Sequence, residues 1–95
     1  MSDITTQNRR LHILKCLKIS TDYRMSDLLL QEMLKKIGFA SPLAVIKADL
    51  AWLEQLGLLS TQELPGMTIA LLCSEGVDVA DGLSHVPGIA RPRPE

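Results

Sequence analysis

Apolar and polar positions at the start of the chain repeat with the period of an α-helix. In a helix over about residues 5–19, one face is formed by Ile4, Leu11, Leu14 and either Leu17 or Lys18. Most of the charged positions fall on other faces. The polar stretch STDYR, residues 20–24, follows this helix as a connector. The pattern therefore predicts an amphipathic first helix whose charged side is solvated.

Two more helices are predicted, and few residues separate them. Ser26 is expected to cap the second helix, and Gly38 ends it. Ser41 and Pro42 predict the start of the third helix, because the hydroxyl can accept from a free backbone N–H and a first-turn proline loses no hydrogen bond. Gly57 ends the third helix. The short connection from Gly38 to Ala40 is typical of a helix-turn-helix.

The third helix is apolar on nearly every side. Ile46, Leu50 and Leu53 form a stripe at helical spacing, which should face the core. Three further apolar residues lie outside that stripe, namely Val45, Ala48 and Trp52. A helix with this pattern is normally covered on more than one side.

A β-hairpin and a short helix are predicted after the third helix. Two apolar stretches, LLSTQ and MTIALL, flank Pro65-Gly66, a dipeptide typical of a tight turn. Ser74 is expected to cap a last helix in SEGVDVADGLSH. The ending VPGIARPRPE holds three prolines and cannot continue a helix. We therefore expect one domain over residues 1–86 and an extended, partly mobile Pro-rich tail over residues 87–95.

Size and composition favour a binding domain over an enzyme. The 95 residues fit one domain that can bury a core but is small for the usual enzymatic cleft. The sequence shows no nucleophile–base set, no paired carboxylates and no glycine-rich phosphate loop, so we predict no catalytic residue and no cofactor. A formal net charge of -1 gives no global attraction to nucleic acid, so DNA contact would need a local basic patch.

The cysteines and the hydropathy bear on where the protein works. Cys16 and Cys73 form no CxxC motif and no cysteine–histidine cluster at metal-binding spacing, so reduced thiols and no metal site are expected. The sequence has neither a charged-then-apolar leader nor an apolar run of membrane length. We therefore expect a cytoplasmic protein that contacts no membrane.

The predicted order, helix-helix-helix-strand-strand-helix, is that of a winged helix-turn-helix, a mainly α fold with a small β-hairpin. The stretch LAWLEQLGLL resembles the end of the recognition helix and the start of the wing in ArsR-type and MarR-type regulators. The combination of ADLAWLEQLGLL, EGVDVADG and VPGIARPRP is similar to a family of small ArsR-like proteins from Mu-like transposable prophages. The resemblance implies the fold and a DNA-binding transcriptional regulator of a phage or prophage.

In regulators of this kind the third helix enters the major groove and the hairpin approaches the DNA backbone. The resemblance therefore places the start of the third helix, and basic residues near it, against double-stranded DNA. Glu63, at the predicted hairpin tip, has the wrong charge for a phosphate contact. The candidate DNA contacts are Ser41, Lys47, Arg9, Arg10, Lys35 and Lys36.

The surplus of apolar positions in so small a domain predicts a homodimer. The candidate interface residues are Trp52, Val45, Ala48, Val86 and Ile89. Two hypotheses about function remain open. The first is a dimeric DNA-binding regulator, and the second is a winged-helix protein-interaction module that binds itself or another phage protein without reading a DNA sequence.

Overall fold

The computed structural model describes residues 3–93, which fold into helices around one small sheet. The helices are α1 (Ile4–Ile19), α2 (Asp27–Lys36), α3 (Leu43–Gln55) and α4 (Ser74–Ala80). The strands are β1 (Arg24–Ser26), β2 (Leu59–Leu64) and β3 (Met67–Leu72), and a 3-10 turn at Thr21–Tyr23 connects α1 to β1. The sheet is antiparallel, with the strand order β1-β3-β2. Within residues 3–93, no helix is long and apolar enough to cross a membrane.

The architecture is the predicted winged helix with one more strand. α2 and α3 form the helix-turn-helix, and the hairpin of β2 and β3 forms the wing. β1 begins where we predicted only a connector, and Met25 is its single buried residue, opposite Ala70 of β3. A strand of three residues is too short to show an alternating pattern in the sequence. Its hydrogen bonds to β3 are what define it.

The start of α2 agrees with the sequence prediction, whereas the start of α3 corrects it. Ser26 Oγ accepts from the backbone N–H of Leu29 at 3.1 Å, which confirms Ser26 as the cap of α2. Pro42 is the N-cap of α3 and makes no side-chain hydrogen bond there. The prediction that Ser41 caps this helix is wrong, because its hydroxyl donates to the Phe39 carbonyl oxygen at 3.1 Å.

The cap predicted for α4 is also displaced. Ser74 is the first residue of α4 and Cys73 occupies the cap position. The Ser74 hydroxyl donates to Glu75 Oε2 at 3.1 Å instead of closing the helix end. An ion pair between Lys18 and Asp81 joins α1 to the end of α4.

The core lies between α1, the helix-turn-helix and one face of the sheet. Ile46, Leu50 and Leu53 of α3 are all buried, as their helical spacing predicted. β3 alternates along its length, with Ala70 and Leu72 buried in the same core. Because the stripe of Ile46, Leu50 and Leu53 faces the core, the opposite side of α3 remains at the surface, beside the wing.

Residues 87–93 pack on the domain. Ile89 is only 1% exposed and is part of the hydrophobic core. The backbone N–H of Ala90 donates to the carbonyl oxygen of Gln7 in α1 at 3.1 Å. The segment expected to be a mobile tail is thus attached to the domain as far as residue 93, and residues 94 and 95 lie outside the described residues.

Candidate functional site

The outer side of α3 and the wing form one surface. Ala44, Ala48 and Ala51 are exposed along α3, and Lys47 is the cation among them. A shallow cavity of about 150 Å³ separates this helix from the hairpin, with Glu63 on its wall. Because alanine has no polar side-chain atom, this part of α3 offers few groups that could read base edges.

Lys47 extends towards Asp27, which lies in the first turn of α2. Its Nζ is 2.8 Å from Asp27 Oδ2 and donates to Thr68 Oγ1 at 3.1 Å. Asp27 is fully buried, and its Oδ1 accepts from the backbone N–H groups of Leu28 at 2.8 Å and Thr68 at 3.2 Å. The Thr68 hydroxyl donates to Glu63 Oε2 at 3.0 Å. One cation therefore links α2, α3 and both strands of the wing.

The electrostatics of the pair favour its charged form. Burial of the Asp27 carboxyl raises its pKa, but the hydrogen bonds from Lys47 and the Thr68 N–H, with the charge of Lys47, outweigh burial and hold the pKa below its ordinary value. The hydrogen bond to Asp27 raises the pKa of Lys47, and the charge of Glu63 adds to this. At neutral pH the positive charge of Lys47 is therefore compensated within the domain.

Arg9 and Arg10 of α1 both pair with Asp49, a buried residue of α3. Arg9 Nε donates to Asp49 Oδ2, and Arg10 Nε donates to Oδ1 at 3.2 Å. The guanidinium carbon of Arg10 lies 3.8 Å from the centre of the Trp52 ring, and its Nη1 donates to the Gly88 carbonyl oxygen at 3.2 Å. Arg9 and Arg10, both predicted as DNA contacts, thus hold α1, α3 and the C-terminal segment together.

Two other predicted DNA contacts are brought together at the turn before α3. Lys35 and Ser41 line a cavity of about 420 Å³, with Glu32 on the same wall. Gln31 Nε2 donates to the Ser41 carbonyl oxygen at 2.9 Å, which ties α2 to this turn. Lys36 is exposed on α2. The six predicted contacts are therefore distributed over several places, and their joint role in DNA binding stays a prediction.

The residues predicted to form a dimer interface occupy different environments. Ala48 is exposed, Val45 and Val86 are half-buried, and Ile89 lies in the core of its own chain. Trp52 is half-buried beneath Arg10, as described above. Packing within one chain accounts for the apolar character of Trp52 and Ile89, and a dimer interface stays a prediction.

Sequence reasoning missed the two buried carboxylates that organise these contacts. The sequence places Asp27 in the first turn of α2 and Asp49 within an otherwise apolar helix, and neither position reveals which residue pairs with it. The sequence did hold one indication for Asp49, since a charged residue on a helix that is apolar nearly all round needs a partner of opposite charge. For Asp27 the sequence held no such indication, because the helix dipole favours an acidic residue in the first turn of a helix without any partner.

No family model matches this chain. It is 34% identical over 94 residues to the uncharacterized protein gp26 of Escherichia phage Mu, and the match covers 99% of this chain and 97% of gp26. The chain belongs to the family of phage Mu gp26. This confirms the resemblance to proteins of Mu-like phages, whereas the narrower ArsR or MarR assignment stays a prediction.

Two similar solved structures are those of the hsRosR-S4 and hsRosR-S1 complexes. Each superposes with a TM-score of 0.64 at 22% sequence identity and covers 76% of this chain. The chain spans 62% and 63% of the length of those two proteins. At this identity the likeness shows the fold alone, which is the winged helix.

Proposed function

We propose that this member of the gp26 family is a phage DNA-binding regulator in which α3 faces the duplex. The observation that carries the proposal is the exposed side of α3, which lies beside a two-stranded wing in the fold that hsRosR, a winged-helix regulator, also has. A helix of this kind fits the major groove, and the wing then approaches the backbone.

The composition of the surface favours contacts with the DNA backbone over base reading. Ala44, Ala48 and Ala51 are small, so the helix can approach the groove closely, but they carry no donors for base edges. The Lys47 side chain is 45% exposed and can leave Asp27 to contact a phosphate. Breaking the ion pair leaves the buried Asp27 carboxylate unpaired, and this cost offsets part of the binding energy of the phosphate contact. The other proposed contacts are Lys35, in the last turn of α2, and Ser41, in the turn before α3. We therefore expect weak, salt-dependent binding with modest sequence preference.

The test uses the substitution Ala48→Glu, which places a negative charge on the exposed side of α3. Lys47→Glu is less suitable, because it would leave the buried Asp27 carboxylate beside another carboxylate and damage the fold. We expect Ala48→Glu to weaken binding to a fluorescently labelled duplex by about tenfold or more, as a like charge repels the phosphates. Fluorescence anisotropy at low salt measures the change.

Thr21→Glu is the matched control, because it adds the same charge at an exposed position far from the wing tip. Thr21 begins the turn before β1, and β1 pairs with the end of β3 that is distant from Pro65-Gly66. The control should bind like the unmodified protein. Equal affinities for the Ala48→Glu and Thr21→Glu variants would overturn the role proposed for α3.

We further propose that the regulator acts as a homodimer. Val45 and Val86, two of the residues predicted for the interface, are only half-buried and remain partly accessible to a second copy. Sedimentation at high micromolar concentration should show a dimer. A monomer under those conditions would contradict this part of the proposal.

A specific observation favours a second candidate, a protein-interaction module that uses the same surface. The alanines of α3 are apolar and the charge of Lys47 is compensated, so the surface is closer to neutral than a duplex-binding surface usually is. An interface of this kind would hardly respond to salt, whereas DNA binding weakens steeply between about 50 and 200 mM salt. The salt dependence of binding therefore separates the two functions.

A further inference from the structure

A groove outside the α3 surface gathers positive charge. α1 and the C-terminal segment enclose about 310 Å³, lined by Asn8, Leu11, His12, Lys15, Arg91 and Arg93. Three of these residues carry permanent positive charges, and the described residues of the lining include no carboxylate. The groove is therefore suited to an anion.

The cations of this groove differ from those that stabilise the fold. Four of the ten lysines and arginines, namely Arg9, Arg10, Lys18 and Lys47, make ion pairs. The remaining six make no ion pair within residues 3–93, and three of these six line the groove. Asp81 precedes Gly82, which lines a neighbouring cavity, and its carboxylate is already paired with Lys18. The charge of the groove is thus available to a ligand.

The packing of the C-terminal segment fixes where its arginines lie. Arg91 and Arg93 follow directly on the buried Ile89 and on Ala90, whose N–H is bonded to α1. Arg91 also borders a second cavity of about 390 Å³ that includes His85, and the described residues of this lining again include no carboxylate. The segment therefore presents cations on a fixed backbone across two adjoining cavities.

His12 adds little charge to the groove at neutral pH. The His12 ring lies 5.1 Å from the Phe39 ring, and burial lowers the pKa of His12, with the charge of Lys15 lowering it further. His12 is therefore neutral at pH 7, so Lys15, Arg91 and Arg93 supply the charge on this side of α1.

We propose that this groove binds the phosphate backbone of duplex DNA as a site separate from α3. A protein partner would need an apolar or aromatic centre to its interface, and Leu11, the aliphatic residue of the lining, is itself buried. Phosphate contacts need only cations at fixed positions, which is what the groove offers. The choice of DNA rests on the proposed function, whereas the anionic nature of the ligand rests on the groove alone.

The test compares Arg93→Gln with Arg24→Gln in the full chain. Both arginines are exposed and make no ion pair within residues 3–93, and the substitutions change the net charge equally, but Arg24 lies on β1. The readout is the slope of log affinity against log salt for a labelled duplex. We expect the magnitude of this slope to fall by about 0.9 for Arg93→Gln, by about 2 to 3 when Lys15, Arg91 and Arg93 are all replaced by Gln, and to stay unchanged for Arg24→Gln.

The outcomes separate this site from α3. Equal slopes for the Arg93→Gln and Arg24→Gln variants would overturn the groove. If Ala48→Glu weakens binding while the triple variant keeps the full slope, the result supports the DNA contact of α3 and overturns the phosphate site in the groove. If the triple variant has a smaller salt slope while Ala48→Glu binds normally, the result supports the phosphate site in the groove and overturns the DNA contact of α3. Groove-dependent binding of labelled polyglutamate without any binding of duplex would overturn DNA as the ligand.

Discussion

At the residue scale, two buried aspartates of the helix-turn-helix hold nearby basic side chains in ion pairs within the domain. A carboxylate removed from water needs hydrogen bonds and a cation to remain charged. Asp27 obtains Lys47, and Asp49 obtains Arg9 and Arg10. Three of the six residues that the sequence assigned to DNA are therefore held in ion pairs within the domain. In the proposed regulator, α3 therefore contributes shape more than charge.

The ion pair between Asp27 and Lys47 should make the stability of the protein depend on pH. Asp27→Asn keeps the size of the side chain and removes its charge, so we expect the free energy of unfolding to fall by about 1–2 kcal/mol at pH 7. Because the pKa of Asp27 is depressed in the folded state, its stabilising effect is present above the unfolded value of about 3.9 and is lost as pH falls through the lower folded value. The difference between the two proteins should therefore shrink below about pH 4, as measured by urea denaturation across pH.

The control for this experiment is Asp78→Asn. Asp78 is exposed on α4, so the same change should alter the free energy of unfolding by less than about 0.5 kcal/mol. A loss of stability in Asp27→Asn that stays constant down to pH 3 would show that the charge of Asp27 is not what stabilises this junction.

At the element scale, the C-terminal segment acts as part of the domain because of one close contact. Gly88 has φ +96°, and a Cβ atom at this position would lie 2.9 Å from Cζ2 and Cη2 of Trp52. The absence of a side chain lets the segment approach the ring, while the Gly88 carbonyl accepts from Arg10. The approach delivers Ile89 to the core and places Arg91 beside α1.

Gly88→Ala and Gly38→Ala form a matched pair. Both glycines have a positive φ, +96° and +97°, so both substitutions should cost about 1–2 kcal/mol in backbone strain. A Cβ at Gly38 meets nothing within 4 Å, whereas at Gly88 it meets the Trp52 ring. We expect Gly88→Ala to cost about 1–3 kcal/mol more in urea denaturation and to shift the fluorescence of Trp52. Equal losses in the two variants would contradict the close packing of this segment.

At the scale of the whole molecule, the order of elements was predictable and the contacts between distant residues were not. The stripe of Ile46, Leu50 and Leu53, the turn at Pro65-Gly66 and the cap at Ser26 are local patterns, and each was found where it was expected. β1 was missed because so short a strand is defined by its partner.

The candidate site was harder to predict for the same reason. Ion pairs such as Asp27 with Lys47 join different helices, and no local pattern marks them. The docking of residues 87–93 was missed because Ile89 is a lone large apolar side chain among prolines, where composition predicts a tail. The sequence indicated which residues carry charge, and only the fold showed which charges are compensated.

The most direct test of the central claim, that α3 faces DNA, is an NMR titration of the ¹⁵N-labelled protein with duplex DNA. We expect the largest amide chemical-shift changes at Ala44, Ala48 and Ala51, with smaller ones at the tip of the wing. Changes confined to residues outside α3 and the wing, or none at concentrations that saturate binding, would contradict it.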